Sequence, residues 1–157
     1  MLNEYLQFTS STSSEKTELF DISKLLNHSI MKYENKNITS NIEQKVFFNG
    51  RRSLINRCMD NLINNSLKYS NKVLVNLKKI HKNLIITVDD DGPGIAESEY
   101  ENVFKPFYKI NKGRGDSKSS VGLGLSISSD VVRSHGGSIT LEKSSLGGLK
   151  VKISLPS

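Results

Sequence analysis

Residues 73–95 read VLVNLKKIHKNLIITVDDDGPGI, and this stretch decides the fold. Apolar residues occupy every second position at 73, 75 and 77 and again at 84, 86 and 88, so that each set lies on one face of a strand. Such alternation is typical of strands in a sheet that has one covered side. The two segments are joined through residues 80–83, as the strands of an antiparallel hairpin are. The stretch therefore predicts two neighbouring strands that lead into an acidic, glycine-rich loop.

Further helices and strands are predicted on both sides of this hairpin. The predicted helices span residues 22–33, 51–69 and 123–134, with a short helix near 97–102. The predicted strands span residues 38–42, 45–48, 138–142 and 149–155. Asp21 is the predicted N-cap of the first helix. Strands grouped in meanders with helices to one side favour an α+β two-layer sandwich with a mixed, mostly antiparallel sheet over a parallel α/β fold.

The length and composition favour one compact domain. The chain has 157 residues, 36% of them hydrophobic, which is enough for a single core. Residues 9–17 are small and polar without periodicity, which indicates a linker after the short segment 1–8. We therefore expect the domain proper to span residues 18–157.

Charge and cysteine content narrow the classes of partner and compartment. The net charge of +6 favours anionic partners such as nucleotides, phosphoproteins, nucleic acid or acidic lipids, but no basic run is long enough for a nucleic-acid arm. The single cysteine, Cys58, cannot form an internal disulfide. Because no apolar run approaches the roughly 18 residues of a membrane span, we expect a soluble domain from a reducing compartment.

The helix over residues 51–69 carries a polar stripe. At about 100° per residue, Asn61, Asn65 and Lys68 lie within roughly 60° of one another. They lie at the margin of the apolar face formed by Leu54, Ile55, Cys58, Met59 and Leu62. Amide oxygens one turn apart suit a hydrated Mg²⁺ ion, and a lysine neutralises phosphate oxygens. The stripe is thus a candidate triphosphate platform; the alternative is that these asparagines only decorate a polar helix.

The acidic loop follows the second strand of the hairpin, at residues 88–95. Gly92 and Gly94 allow close backbone approach, so that a flat ligand could lie against the chain. A carboxylate beside such a pocket accepts a hydrogen bond from an exocyclic amine, which adenine presents. An ordinary turn or a calcium loop remains an alternative, although no ligand-spaced acids follow.

A second glycine motif, Gly122-Leu123-Gly124-Leu125, opens the last helix. The N-terminus of a helix favours phosphate, but the motif is neither a P-loop nor a Rossmann fingerprint. Residues 108–121, before it, are rich in glycine, serine and charge, which favours a flexible lid. Phe104 and Phe107 either anchor the base of this lid or belong to the core.

These motifs, in this order, resemble those of the GHKL superfamily, whose Bergerat fold binds ATP, and within it the bacterial sensor histidine kinases. The N box resembles Asn61 to Ser70, the G1 box Asp90 to Gly94, the F box Phe104 to Phe107 and the G2 box Gly122 to Leu125. The match covers residues 19–156. Residues 114–117 further resemble osmosensor-type kinases.

The resemblance implies specific roles around bound Mg-ATP. Asp90 would receive the adenine amine, and Asn61 and Asn65 would attend Mg²⁺ and the phosphates. Lys68 would contact phosphate and Tyr69 would lie against the nucleoside. Further nucleotide contacts are implied for Gly92, Gly94, Ile95, Phe104, Lys109, Gly122, Leu123, Gly124 and Leu125. The sequence departs from the family pattern at Ser120, where glycine is common, and at Lys109, where arginine is common.

The same resemblance favours phosphoryl transfer over hydrolysis. Hydrolytic relatives carry a glutamate where this chain has Asn61, and an amide is not a general base at neutral pH. None of the three histidines lies in the acceptor pattern of the family, so the acceptor is expected on another domain. Those histidines are His28, His81 and His135.

The expected partners follow from the family. Residues 1–17 resemble the end of a dimerisation and phosphoacceptor helix plus linker, so the phosphate would pass to a histidine of that domain in a homodimer and then to a response regulator. The resemblance implies a cytoplasmic domain of a protein in the bacterial inner membrane, with no nucleic-acid partner and no membrane insertion of this fragment. A catalytically silent binding module and an anti-sigma serine kinase are the alternatives.

Overall fold

The computed structural model describes residues 15–33, 36–108 and 124–157. The helices are α1 (Ile22–Met31), α2 (Arg52–Tyr69) and α3 (Gly124–Ser134). The strands are β1 (Glu18–Asp21), β2 (Ile38–Ile42), β3 (Phe47–Gly50), β4 (Val73–Ile80), β5 (Asn83–Asp90), β6 (Ser138–Lys143) and β7 (Leu149–Pro156). Two 3₁₀ helices span Glu97–Glu99 and Asn102–Phe104. This architecture confirms the predicted α+β fold, whereas the predicted lid lies almost entirely outside the described residues.

The main sheet has five strands in the order β2-β4-β5-β7-β6. Strand β2 runs parallel to β4, and the other pairs are antiparallel, as predicted for a mixed, mostly antiparallel sheet. The predicted hairpin is confirmed, with Val73 opposite Asp90 at one end and Ile80 opposite Asn83 at the other. The register therefore places Asp90 next to the start of β4, just after the end of α2.

One face of the sheet is buried under the helices. In β5 the side chains of Leu84, Ile86 and Val88 are buried and alternate with partly buried ones, as the sequence pattern predicted. Helix α2 contributes an apolar face to the same core, and it packs against both α3 and the sheet. Continuing the alternation by one step places the side chain of Asp90 on the face that the helices cover.

Helix α1 begins as predicted. A side-chain oxygen of Asp21 accepts a 3.1 Å hydrogen bond from the amide of Lys24, which satisfies one of the free donors at the helix start. The helix ends at Met31, two residues before the predicted end.

Strand β1 was not predicted. It has four residues, of which only Phe20 is buried, and its partner β3 lies 26 residues further along the chain, so no local alternation indicates it. The two strands form a separate two-stranded sheet, in which the rings of Phe20 and Phe48 meet edge to face at 6.0 Å. The pairing also moves the predicted strand over 45–48 to Phe47–Gly50.

The short helix predicted near 97–102 is replaced by the two 3₁₀ helices. A side-chain oxygen of Glu99 accepts a 2.9 Å hydrogen bond from Nδ2 of Asn102 and a 2.7 Å bond from the hydroxyl of Tyr108.

Candidate functional site

The polar stripe of α2 occupies the C-terminal half of the helix. Asn61 and Asn65 are partly buried, whereas Lys68 and Tyr69 are exposed at the last turn. The lysine Nζ lies 5.8 Å from the centre of the Tyr69 ring. Within the described part of the chain, Nδ2 of Asn61 is buried and has no hydrogen-bond partner. A buried donor without a partner is costly, and a bound ligand with acceptor oxygens would satisfy it.

A cleft of about 440 Å³ separates the end of α2 from the glycine loop. Its lining consists of Lys68, Tyr69, Ser70, Asn71, Asp91, Gly92 and Pro93. The structure thus brings the end of the predicted phosphate platform and the acidic glycine loop to one cleft. A second cavity, of about 500 Å³, lies between α1 and the start of α2 and contains none of the predicted site residues.

Asp90 is held in a fixed orientation beside this cleft. Its side chain is on the helix-covered face of the sheet, and the residue is 5% exposed. Oδ1 accepts hydrogen bonds of 3.0 Å from the amides of both Gly92 and Leu149. No described residue donates a hydrogen bond to Oδ2. This second oxygen is therefore an acceptor available for an amine.

The two neighbouring acids have other partners. Asp89 is on the opposite face of the sheet, where Oδ2 accepts a 2.8 Å hydrogen bond from the Ser144 hydroxyl and lies 3.8 Å from Nζ of Lys150. Asp91 accepts hydrogen bonds from the amides of Lys72 and Asn71, and these bonds hold the pKa of its carboxyl below the ordinary value. Through these hydrogen bonds, Asp89 holds the segment at Ser144, and Asp91 holds the segment at residues 71–72, against the end of β5.

The glycines of the loop permit close contacts within the chain. A β-carbon at Gly92 would lie 2.6 Å from the carbonyl oxygen of Tyr69, which is much closer than real β-carbons approach. Gly94 has a φ of +71° and lies against the backbone of Gly148. The expectation that these glycines admit a flat ligand stays a prediction, because their observed neighbours are other parts of the chain.

The two phenylalanines of the predicted F box differ in burial. Phe104 is partly buried and packs against the core, as does Ile95. Phe107 is 51% exposed and has a φ of +64°, a backbone conformation that phenylalanine rarely adopts. Of these two phenylalanines, therefore, only Phe104 belongs to the core.

The second glycine motif is described only in part. Gly124 is the first residue of α3, and a β-carbon there would meet nothing within 4 Å. Leu125 is partly buried and packs against the core. Lys109, Gly122 and Leu123 lie outside the described residues, as do residues 114–117.

Residues 144–149 were not predicted to belong to the site. The amide of Leu149 bonds Oδ1 of Asp90, and the amide of Gly148 donates a 3.0 Å hydrogen bond to the Asp90 carbonyl. The only local signal is the pair of glycines at 147–148, because the contacts join residues almost 60 positions apart in the chain.

The match to known proteins covers the same elements. A model of the family described as histidine kinase-, DNA gyrase B-, and HSP90-like ATPase matches residues 50–157. This segment includes α2, the glycine loop and Asp90, and it is more than half of the chain. The chain belongs to this ATPase family. Membership in the histidine kinase-, DNA gyrase B- and HSP90-like ATPases implies that the chain binds ATP.

Among these ATPases, the relatives are sensor histidine kinases. Sensor histidine kinase GtrS of Pseudomonas aeruginosa is 35% identical over 108 residues, which are 68% of this chain and 22% of GtrS. Sensor histidine kinase CpxA of Escherichia coli is 36% identical over 108 residues, or 68% of this chain and 24% of CpxA. The chain therefore spans about a quarter of the length of these curated relatives. The predicted resemblance to histidine kinases is confirmed.

A solved structure supports the same fold. The mycobacterial sensor histidine kinase MprB superimposes with a TM-score of 0.78 and 25% identity, over 90% of this chain and 97% of that one. None of the helices in the described ranges is long and apolar enough to cross a membrane.

Proposed function

We propose that this ATPase-family chain is the catalytic domain of a two-component sensor histidine kinase. It binds Mg-ATP and transfers the γ-phosphate to a histidine on the dimerisation domain of the same or the partner subunit, for relay to an aspartate of a response regulator. The observation that carries the proposal is the orientation of Asp90, whose Oδ1 is occupied by two backbone amides while Oδ2 is available. The parent protein lies in the bacterial inner membrane, with this domain in the cytoplasm.

The available oxygen of Asp90 supports recognition of adenine. A carboxylate is an acceptor only, so it stabilises the 6-amino group of adenine and repels a carbonyl oxygen at the same position. ATP is therefore favoured over nucleotides with a 6-oxo base, such as guanine or hypoxanthine.

The stripe on α2 supports binding of the phosphates. The unpartnered Nδ2 of Asn61 suits a phosphate oxygen, and Lys68 supplies a positive charge at the rim of the cleft. No group of three or more His, Cys, Asp or Glu residues that could hold a metal occurs in the described ranges.

The asparagines of the stripe fit a Mg²⁺ ion that the protein and the nucleotide hold jointly. Neutral amide oxygens, as in Asn61 and Asn65, are suitable ligands for an ion that keeps several waters and binds substrate phosphates. When bound, the ion supplies charge neutralisation at the phosphates.

The acid beside the stripe supports phosphoryl transfer rather than hydrolysis of ATP. Asp60 is the single acid of α2, and its Oδ2 forms a 2.9 Å ion pair with Lys32 of the segment after α1. Asn61 cannot accept a proton at neutral pH. The one acid of α2 is thus paired with the segment after α1, and we expect the nucleophile to be supplied from elsewhere.

The three histidines lie far from the cleft, which supports delivery of the nucleophile by another domain. His81 is at the far end of the β4–β5 hairpin, roughly 23 Å from Asp90 at about 3.3 Å per strand residue. His135 follows the C-terminal end of α3, and His28 lines the cavity at the N-terminal end of α2. The opposite, C-terminal end of α2 lines the cleft, and the predicted G2 box lies at the opposite, N-terminal end of α3.

Labelling with γ-³²P-ATP and Mg²⁺ tests the proposal. The chain alone should not label itself, whereas addition of the histidine-bearing dimerisation domain of the same kinase should give acid-labile, base-stable phosphohistidine on that domain. Asp90→Asn should reduce this labelling strongly, with His81→Gln as the matched control that leaves it unchanged. Stoichiometric phosphate on the chain itself, or release of free phosphate faster than transfer, would contradict the proposal.

A further inference from the structure

The turn between β6 and β7, residues 144–148, contacts two consecutive acids of β5. Its first residue, Ser144, donates a 2.8 Å hydrogen bond to Oδ2 of Asp89. Its last residue, Gly148, donates a 3.0 Å bond to the carbonyl of Asp90, and the amide of Leu149 bonds Oδ1 of the same residue. The turn and the first residue of β7 therefore form hydrogen bonds with the end of β5 on both faces of the sheet.

Internal hydrogen bonds make the turn a single closed unit. The amide of Ser144 donates to the carbonyl of Gly148 at 2.8 Å, and the amide of Gly147 donates to the carbonyl of Ser144 at 3.0 Å. The Ser144 hydroxyl also accepts a 3.0 Å bond from the amide of Leu146, and this serine is 4% exposed. Fixing Ser144 on Asp89 thus fixes the position of Gly148 as well.

The fit at Gly148 leaves no room for a side chain. A β-carbon there would overlap Oδ1 of Asp90 and lie 2.6 Å from both the Asp90 carbonyl oxygen and the Gly92 amide nitrogen. Any larger residue must push the carboxylate out of its orientation or displace the turn. By contrast, a β-carbon at the neighbouring Gly147 meets nothing within 4 Å.

We propose that the 144–148 turn is the positioning element for base recognition. Gly92 and Leu149 hold Oδ1 of Asp90, so that Oδ2 points in one direction. Gly148 bonds the Asp90 carbonyl and leaves the space that Oδ1 fills, and Ser144 anchors the turn through Asp89. Neither Gly148 nor Ser144 contacts the base; both act through the carboxylate. The inference rests on the proposed nucleotide function of Asp90. A carboxylate free to rotate would lose much of the selectivity of a fixed one, because selectivity requires an acceptor held in place before binding.

The test compares ATP with inosine triphosphate, which carries a carbonyl in place of the 6-amino group. Gly148→Ala should lower the ratio of the two affinities by about tenfold or more, the size of one charge-assisted hydrogen bond. Gly147→Ala is the matched control: at a φ of +105° it strains the same turn without approaching Asp90, so it should lower Tm while leaving the ratio unchanged. The affinities of each variant for ATP and for inosine triphosphate are measured by calorimetry, and Tm is recorded for every variant.

A double mutant separates positioning from general damage. If Gly148 acts through Asp90, Gly148→Ala should change the affinity ratio less than twofold when Asp90→Asn is already present. Should Gly148→Ala not fold, Ser144→Ala replaces it, with a smaller fall in the ratio expected. If Gly148→Ala keeps the wild-type ratio of ATP to inosine triphosphate affinity, this inference alone is overturned. The same holds if the ratio falls equally in Gly147→Ala. Wild-type protein that does not discriminate between the two nucleotides would overturn the proposed function as well.

Discussion

The backbone amide of Arg51 donates a 3.0 Å hydrogen bond to Nε2 of His135. The other ring nitrogen, Nδ1, lies 2.7 Å from the carbonyl of Val131, so this nitrogen carries the proton and Nε2 is the acceptor. The ring therefore joins the end of α3 to the start of α2 only while it is neutral. Burial, aided by the charge of Arg51 and opposed by Glu15 and by the Val131 hydrogen bond, lowers the pKa of His135.

We predict that this contact makes stability depend on pH. Because the pKa of His135 is lower in the folded than in the unfolded chain, its contribution is complete above the ordinary value of about 6.5 and is lost as the pH falls through the folded value. Urea unfolding between pH 7.5 and 5 measures the effect. The stability of His135→Leu should fall less over this range than that of the wild type, while the exposed-residue control His28→Gln should follow the wild type. Parallel curves for all three proteins would contradict the assignment.

Cys58 should be unreactive in the folded chain. It is fully buried between α2 and α3, and burial raises the pKa of its thiol to about 12. Since the thiolate is the reactive form, a thiol reagent at pH 8 should modify the native protein only at the rate of unfolding. Rapid stoichiometric modification without denaturant would show that the α2–α3 interface opens.

The phosphate platform should be separable from the base site. Asn65→Ala is expected to weaken binding of Mg-ATP by about tenfold, the typical cost of one lost contact to a charged group, while leaving adenosine binding unchanged. Asp90→Asn should weaken both ligands. Calorimetry with each ligand distinguishes the two sites, and equal losses of adenosine affinity in both variants would argue against two separate sites.

Much of the site follows from local patterns in the sequence. The alternation of Leu84, Ile86 and Val88 continues to Asp90, and the structure places this carboxylate on the covered face as the pattern requires. The helical spacing of Asn61 and Asn65 likewise predicted one polar stripe on α2. Both signals lie within a single element, where the period of side-chain direction is fixed.

The supporting contacts could not be predicted in this way. Strand β1 has one buried residue, and the 144–148 turn reaches Asp89 and Asp90 across more than 50 residues of chain. Such contacts depend on which strands become neighbours, namely β5 beside β7, and no local period encodes that order. The glycine at 148 is explained only once the carboxylate that fills its space is known.

The most direct test of the account is the nucleotide preference of Asp90→Asn, measured by calorimetry with ATP and inosine triphosphate. The amides of Gly92 and Leu149 require an oxygen at the Oδ1 position, so the asparagine should turn its NH₂ group toward the base. ATP binding should weaken by about 1.5–3 kcal/mol and inosine triphosphate binding should weaken less or improve. Asp89→Asn and Asp91→Asn, the matched neighbours, should retain the preference for ATP, because an amide oxygen can still accept the hydrogen bonds that each carboxylate accepts. Equal losses in all three variants, with no change in nucleotide preference in Asp90→Asn, would contradict the assignment of Asp90 as the residue that recognises adenine.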